Sequence, residues 1–114
     1  MALRFRIPLL AAASLALAGN GMAAAKPEIT LTLKNHRFTP AAIAIPAGRK
    51  VRLILLNQDP ATEEFDSDDL RVEEDVTPMG RVSFDIGPLR AGQYSFMGEL
   101  HADTAQGVVT VQDP

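Results

Sequence analysis

The chain has 114 residues, a net charge of −3 from 11 basic and 14 acidic side chains, and no cysteine. The lack of cysteine excludes disulfide bonds, thiolate catalysis and any zinc or iron–sulfur site built on cysteine. The acidic balance argues against binding to nucleic acid, because neutralising phosphates requires clustered lysine and arginine. The same balance suits a protein that binds cations.

The first 25 residues have the pattern of a secretory signal peptide. Arg4 and Arg6 give a positive start, and the apolar run of about a dozen residues that follows is too short to span a bilayer. Small residues precede Lys26, which is the predicted start of the mature chain. We therefore predict a periplasmic protein with a signal peptide at 1–25 and a single domain at 26–114. An uncleaved membrane anchor is the alternative.

Beyond the signal peptide, apolar and polar residues alternate with the period of two that is typical of half-buried strands. Pro40 is expected at the start of the second strand or in a bulge. Runs of this kind, separated by turns with glycine or proline, lie at 29–34, 38–45, 51–57, around 65, and at 82–86, 94–96 and 109–111. The segment 70–78 is charged and ambiguous. About seven short strands without βαβ alternation predict an all-β fold, a Greek-key antiparallel sandwich or barrel.

The order of these segments resembles that of a cupredoxin. The resemblance is carried by His36 to Pro40, Pro46 to Gly48, Tyr94 to Phe96, and His101. More specifically, the chain is similar to the EfeO-type cupredoxin-like domains, whose two signature segments resemble residues 63–70 and 101–107. The resemblance spans residues 28–112 and implies a small periplasmic domain associated with bacterial iron and copper handling.

The resemblance also implies that a blue copper centre is missing. Cupredoxins hold copper with a histidine beyond the strand that here ends at Asn57, and with cysteine, histidine and usually methionine on the last loop. Matched residue by residue, the first histidine position is Glu63, the cysteine position is Met97 and the second histidine is His101. Because a blue copper centre requires a thiolate, electron transfer of that type is not expected.

His101 is the principal candidate metal ligand, because histidine is the commonest transition-metal ligand and this one lies on the closing loop. The alternative is a hydrogen bond between His101 and a carboxylate such as Asp103. His36 is the second candidate if the first and last strands are neighbours, and an exposed turn residue otherwise. Met97 is either a soft Cu(I) ligand or a core residue, and core packing is the preferred interpretation.

Three glutamates complete the predicted ligand set. Adjacent residues of a strand point to opposite faces, so only one of Glu63 and Glu64 can face a site. The choice falls on Glu64, which belongs to the Glu-Phe-acidic-Ser signature, and Glu63 is kept as the alternative. Glu99 lies two residues before His101. Nitrogen and oxygen ligands suit Fe, Cu(II), Mn or Zn better than Cu(I), and the predicted cofactor is an iron or copper ion.

These observations predict a periplasmic metal-binding protein that assists iron or copper handling. The resemblance implies ferrous iron uptake, with an inner-membrane iron permease or another periplasmic transport component as the partner. A metal-free β-sandwich interaction module is the alternative. An enzyme is not predicted, because the chain lacks a serine–histidine–aspartate set and a phosphate loop, although a metal-oxidising accessory role stays open.

Overall fold

The computed structural model describes residues 26–114, so the predicted signal peptide lies outside the described residues. The described chain forms nine strands and a 3-10 turn at Glu99–His101. The strands are β1 (Glu28–Lys34), β2 (Arg37–Thr39), β3 (Ala42–Pro46), β4 (Val51–Asn57), β5 (Glu63–Ser67), β6 (Val72–Val76), β7 (Arg81–Ile86), β8 (Gly92–Gly98) and β9 (Gln106–Gln112). Over this part of the chain, no helix has the length and apolar character needed to cross a membrane.

The strands form two sheets that pack as a β-sandwich, which confirms the predicted all-β class. One sheet has the order β2-β1-β4-β7 and the other β3-β9-β8-β5-β6. Two pairs are parallel, β1 with β4 and β3 with β9, so the sandwich is not purely antiparallel as predicted. The run around Pro40 is split into β2 and β3, one in each sheet, because proline lacks the N–H that would continue a ladder.

The core lies between the two sheets and is centred on four phenylalanines. The ring centroid of Phe65 lies 5.0 Å from that of Phe84 and 5.0 Å from that of Phe96. The centroids of Phe38 and Phe96 are 5.1 Å apart. Offset and edge-on ring pairs of this kind contribute about 0.5–1.5 kcal/mol each beyond the area they bury. Since Phe65 and Phe96 belong to β5 and β8, this cluster holds together the two strands whose ends carry the candidate site.

Asn57 closes β4, as predicted, and its buried side chain fastens the neighbouring loops. The amide nitrogen donates to the carbonyls of Ala61 at 2.8 Å and Thr77 at 3.0 Å, while the amide oxygen accepts from the backbone N–H of Asp59 at 3.0 Å. A buried amide whose nitrogen and oxygen both have hydrogen-bond partners is held in one orientation. It fixes the segment that follows β4 at one end of the sandwich.

Candidate metal centre

His101 ends the 3-10 turn that follows β8. Its carbonyl accepts hydrogen bonds from the backbone N–H groups of Thr104 at 3.2 Å and Ala105 at 2.9 Å, which fixes the loop. Its Nδ1 lies 2.6 Å from Oε2 of Glu63, and the imidazole is 29% exposed. The carboxylate that contacts His101 is therefore Glu63 and not Asp103.

Glu63 is the glutamate that faces the site, and the preference for Glu64 was wrong. β5 begins at Glu63, which shares the inward face with Phe65, so Glu63 is 1% exposed while Glu64 points outward. Besides its contact with His101, the Glu63 carboxylate accepts hydrogen bonds through Oε1 from the N–H groups of Leu100 at 2.9 Å and Glu64 at 3.1 Å. A buried carboxylate with two N–H donors and a close imidazole contact is held in one position.

The Glu63 carboxylate lies against Gly98, in space that is open because glycine has no side chain. A Cβ atom at residue 98 would lie 2.6 Å from Cδ of Glu63 and 2.8 Å from Cβ of Ala105. Carbon atoms normally approach to about 3.5–4.0 Å. A side chain at this position is therefore incompatible with the observed placement of Glu63.

His36 reaches the site from the turn between β1 and β2. Asn35 and His36 have φ values of 52° and 57°, and the flanking residues Lys34 and Arg37 are paired, so the two form a tight hairpin turn. The imidazoles of His36 and His101 are stacked, with centroids 3.7 Å apart and an interplanar angle of 11°. β1 and β9 lie in different sheets, so the two histidines meet through the turn and not, as expected, through neighbouring strands.

One nitrogen of His36 has an unmet capacity for bonding. Its Nδ1 is buried and has no hydrogen-bond partner within residues 26–114. Oδ2 of Asp59 lies 3.5 Å from it. Buried polar atoms are nearly always paired, since an unpaired one costs about 1–3 kcal/mol. Such an atom beside a second imidazole and a carboxylate indicates a site that a bound ion would complete.

Asp59 adds a second buried carboxylate to this end of the sandwich. Its two oxygens accept hydrogen bonds from the N–H groups of Asn35 at 2.7 Å and His36 at 2.9 Å. Burial alone would raise the pKa of Asp59, but these two hydrogen bonds and the nearby imidazoles of His36 and His101 hold it below its usual range. Asp59 is therefore an anion.

His36, Glu63 and His101 make a candidate metal centre. Each offers one donor atom, and the three atoms lie within 4.8 Å of one another. A tetrahedral ion with bonds of about 2.1 Å separates its donors by about 3.4 Å, so they need to close by no more than about 1.4 Å. Two imidazoles and one carboxylate form a donor set suited to divalent iron, copper, manganese or zinc.

Two other predicted ligands, Glu64 and Glu99, lie outside this centre. With Asp66 they form a separate group of carboxylates. Partial burial, followed by the hydrogen bond and charge of Glu99 and then those of Glu73, raises the pKa of Glu64 to about 7. Glu64 and Asp66 lie on the outward face of β5, and this group of three carboxylates contains no histidine.

Met97 is neither in the centre nor in the core, so its interpretation as a core residue was wrong. Its side chain is 40% exposed, and it pairs with Asp66 and Gln106 on the outer face. Strand alternation explains this, because β8 buries Phe96 and Gly98 and must turn Met97 outward.

Comparison with known proteins identifies the superfamily. Residues 7–111 match the family model described as a cupredoxin-like domain. The chain belongs to the cupredoxin-like domain family. An uncharacterized protein of Rickettsia prowazekii (strain Madrid E) is 41% identical to this cupredoxin-like chain over 86 residues, which cover 75% of the chain and 69% of that protein.

Solved structures show the same fold at low sequence identity. The metal-binding domain of the Cu(I)-exporting P-type ATPase CopA of Streptococcus pneumoniae D39, with Cu(I), matches with a TM-score of 0.67 at 16% identity, over 75% of this chain and 85% of that one. Auracyanin A, a blue copper protein of Chloroflexus aurantiacus, matches with a TM-score of 0.66 at 12% identity, over 77% of this chain and all of that one. The predicted cupredoxin-like fold is thereby confirmed.

Asp59 was missed at the level of sequence. Its contacts with Asn35 and His36 span 24 and 23 residues and join the end of β4 to a turn of the same sheet. Its only indication is that the N–H groups of the two turn residues lie beyond the β1–β2 ladder and need an acceptor. The location of that acceptor depends on the tertiary fold.

Proposed function

We propose that this cupredoxin-like protein binds one transition metal ion through His36, Glu63 and His101 and does not act as a blue copper electron carrier. The observation that carries the proposal is the convergence of two imidazoles and a buried carboxylate at one end of the sandwich. The lack of cysteine supports a centre with nitrogen and oxygen ligands, because no thiolate is available.

The proposed setting is the periplasm, where the protein would assist the handling of iron or copper. The pattern of residues 1–25 supports secretion, and the similarity to EfeO-type domains supports a role in ferrous iron uptake. An inner-membrane iron permease or another periplasmic transport component is the proposed partner. Similar folds in proteins described as binding copper support copper as the alternative ion.

A metal-free interaction module is the second candidate. One observation favours it, namely that the Glu63 carboxylate already has partners from His101, Leu100 and Glu64 within the described chain. A module of this kind would keep the Glu63–His101 hydrogen bond permanently. Its stability would then respond to a partner protein and not to metal ions.

Thermal denaturation with added metal ions separates the two candidates. An ion at a concentration 100 times its Kd stabilises the folded state by about 2.7 kcal/mol. In a domain of this size, each kcal/mol raises Tm by about 4–8 °C, so we expect a rise of roughly 10–20 °C with Fe(II) under anaerobic conditions or with Cu(II). His101→Ala should abolish the rise. Equal Tm values with and without every ion would contradict the proposal and favour the interaction module.

A further inference from the structure

We infer that Asp59 is a positioning residue that holds His36 in the metal centre, so that the second imidazole depends on a carboxylate that does not bind the ion itself. This inference rests on the proposed function. Asp59 is not among the three residues whose donor atoms lie within 4.8 Å of one another. Its contacts are directed instead at the backbone that carries His36.

The turn that carries His36 has a left-handed backbone conformation that is uncommon for residues other than glycine. A two-residue hairpin turn with positive φ at both positions prefers asparagine followed by glycine, and here His36 takes the glycine position with φ of 57°. A residue with a side chain persists in this conformation only when its surroundings impose it. The surroundings therefore hold the backbone of His36 in a conformation that glycine would adopt more easily.

Asp59 supplies the constraint on this turn. Its carboxylate oxygens accept the N–H groups of both turn residues, Asn35 at 2.7 Å and His36 at 2.9 Å. Both N–H groups lie beyond the ladder of β1 and β2, because the pairing of these strands ends at Lys34 and Arg37. Charge-assisted bonds to both amides select the turn conformation that points His36 toward His101.

The backbone N–H and carbonyl groups of Asp59 are both hydrogen-bonded. Its N–H donates to Oδ1 of Asn57 at 3.0 Å, and its carbonyl accepts the N–H of Met79 at 3.0 Å. Its side chain is 7% exposed. Because the segment after β4 and the connection between β6 and β7 both fix this residue, its carboxylate is a rigid support for the turn.

The His36 ring is placed between two groups. Oδ2 of Asp59 lies 3.5 Å from its Nδ1, and the ring of His101 stacks on it at 3.7 Å. The His101 ring is likewise in contact with a carboxylate, since its Nδ1 lies 2.6 Å from Oε2 of the ligand Glu63. Carboxylates that orient ligating imidazoles are a general feature of metal sites, and their removal weakens metal binding by about 10–100-fold.

Cu(II) as the probe ion tests this inference in the purified protein, with pulsed electron paramagnetic resonance to count coordinated imidazoles and a competition titration to measure Kd. Asp59→Ala should reduce the count from two to one and raise Kd by about 10–100-fold. Asp59→Asn keeps one of the two acceptor oxygens and sets an NH2 group against the other turn N–H, so its loss of affinity should lie between zero and that of Asp59→Ala. Asp113→Asn is the control: it removes the same charge just after β9, whereas the candidate centre lies before the start of that strand. It should change neither the imidazole count nor Kd.

Amide hydrogen exchange of the metal-free protein provides a readout that does not depend on the ion. Asp59→Ala should speed exchange at the amides of Asn35 and His36. Asp59→Asn should speed it to a smaller extent, and this variant replaces Asp59→Ala in the test if the alanine variant does not fold. Two imidazoles with an unchanged Kd, or unchanged exchange at both amides, would overturn the inference and leave the metal centre intact. A wild-type protein that binds no Cu(II), Fe(II) or Zn(II) would overturn the proposed function and the positioning role together.

Discussion

Gly98→Ala should disable the metal centre by displacing Glu63. The added methyl group would lie 2.6 Å from Cδ of Glu63, 2.9 Å from its Oε2 and 2.8 Å from Cβ of Ala105. Relief to a normal carbon contact requires a movement of about 1 Å. Neither neighbour moves freely, since Ala105 is buried and Glu63 is held by three hydrogen bonds.

The expected cost of this substitution has two parts. Overpacking of this kind lowers the free energy of unfolding by about 1–3 kcal/mol, which corresponds to a Tm lower by roughly 4–24 °C in a domain of this size. A shift of about 1 Å in Oε2 moves a proposed ligand away from the other two donors and breaks its 2.6 Å contact with His101, so metal affinity should fall by at least about 10–100-fold.

Gly107→Ala is the matched control for this prediction. A Cβ atom at residue 107 would overlap the ring of Phe96, which lies in the core and not in the centre. This variant should lose stability at least as strongly as Gly98→Ala and keep the wild-type Kd when measured below its own Tm. Urea denaturation and metal titration of the two variants give the comparison. Wild-type metal affinity in Gly98→Ala would refute the assignment of Glu63 to the centre.

Three further predictions concern the outer face and the core. The raised pKa of Glu64, about 7 against an ordinary 4.5, means that the folded protein keeps a proton that the unfolded chain has lost. The free energy of unfolding should therefore fall between about pH 4.5 and about pH 7, and urea denaturation across this range should show a smaller fall in Glu64→Gln. Met97→Leu should change the free energy of unfolding by less than about 0.5 kcal/mol and leave metal Kd unchanged, because Met97 is exposed and outside the centre; a large loss of affinity would show that it is a ligand. Phe65→Ala should lower the free energy of unfolding by about 3–5 kcal/mol in chemical denaturation, since Phe65 is fully buried and contacts three other rings, and a loss below 1 kcal/mol would contradict the proposed packing.

The fold was largely predictable because its strands alternate with a clear period of two. β4 and β7 show this most directly, and Asn57 ends β4 as the sequence indicated. The partition of strands between the sheets was not predictable in the same way. Local alternation says which face of a strand is buried, whereas the parallel pairing of β1 with β4 and of β3 with β9 depends on contacts between distant segments.

The candidate centre was predicted in its residue types and corrected in its geometry. Glu63 and Glu64 were known to face opposite sides, but the sequence did not indicate which side was inward, because the register of β5 is set by its neighbours. The same parity turns Met97 outward, although the resemblance had matched it to a ligand position. The stacking of His36 on His101 could not be derived, since a two-residue turn and a support from Asp59 bring the rings together.

The central claim, that His36, Glu63 and His101 hold a metal ion without sulfur, is tested most directly by X-ray absorption on the purified protein loaded with one equivalent of Zn(II) or Cu(II). We expect nitrogen and oxygen ligands at about 2.0–2.2 Å from the ion, with the multiple scattering of two imidazoles, and loss of one imidazole in His36→Ala. A sulfur atom at about 2.3 Å, or an unchanged shell in both His36→Ala and His101→Ala, would contradict it.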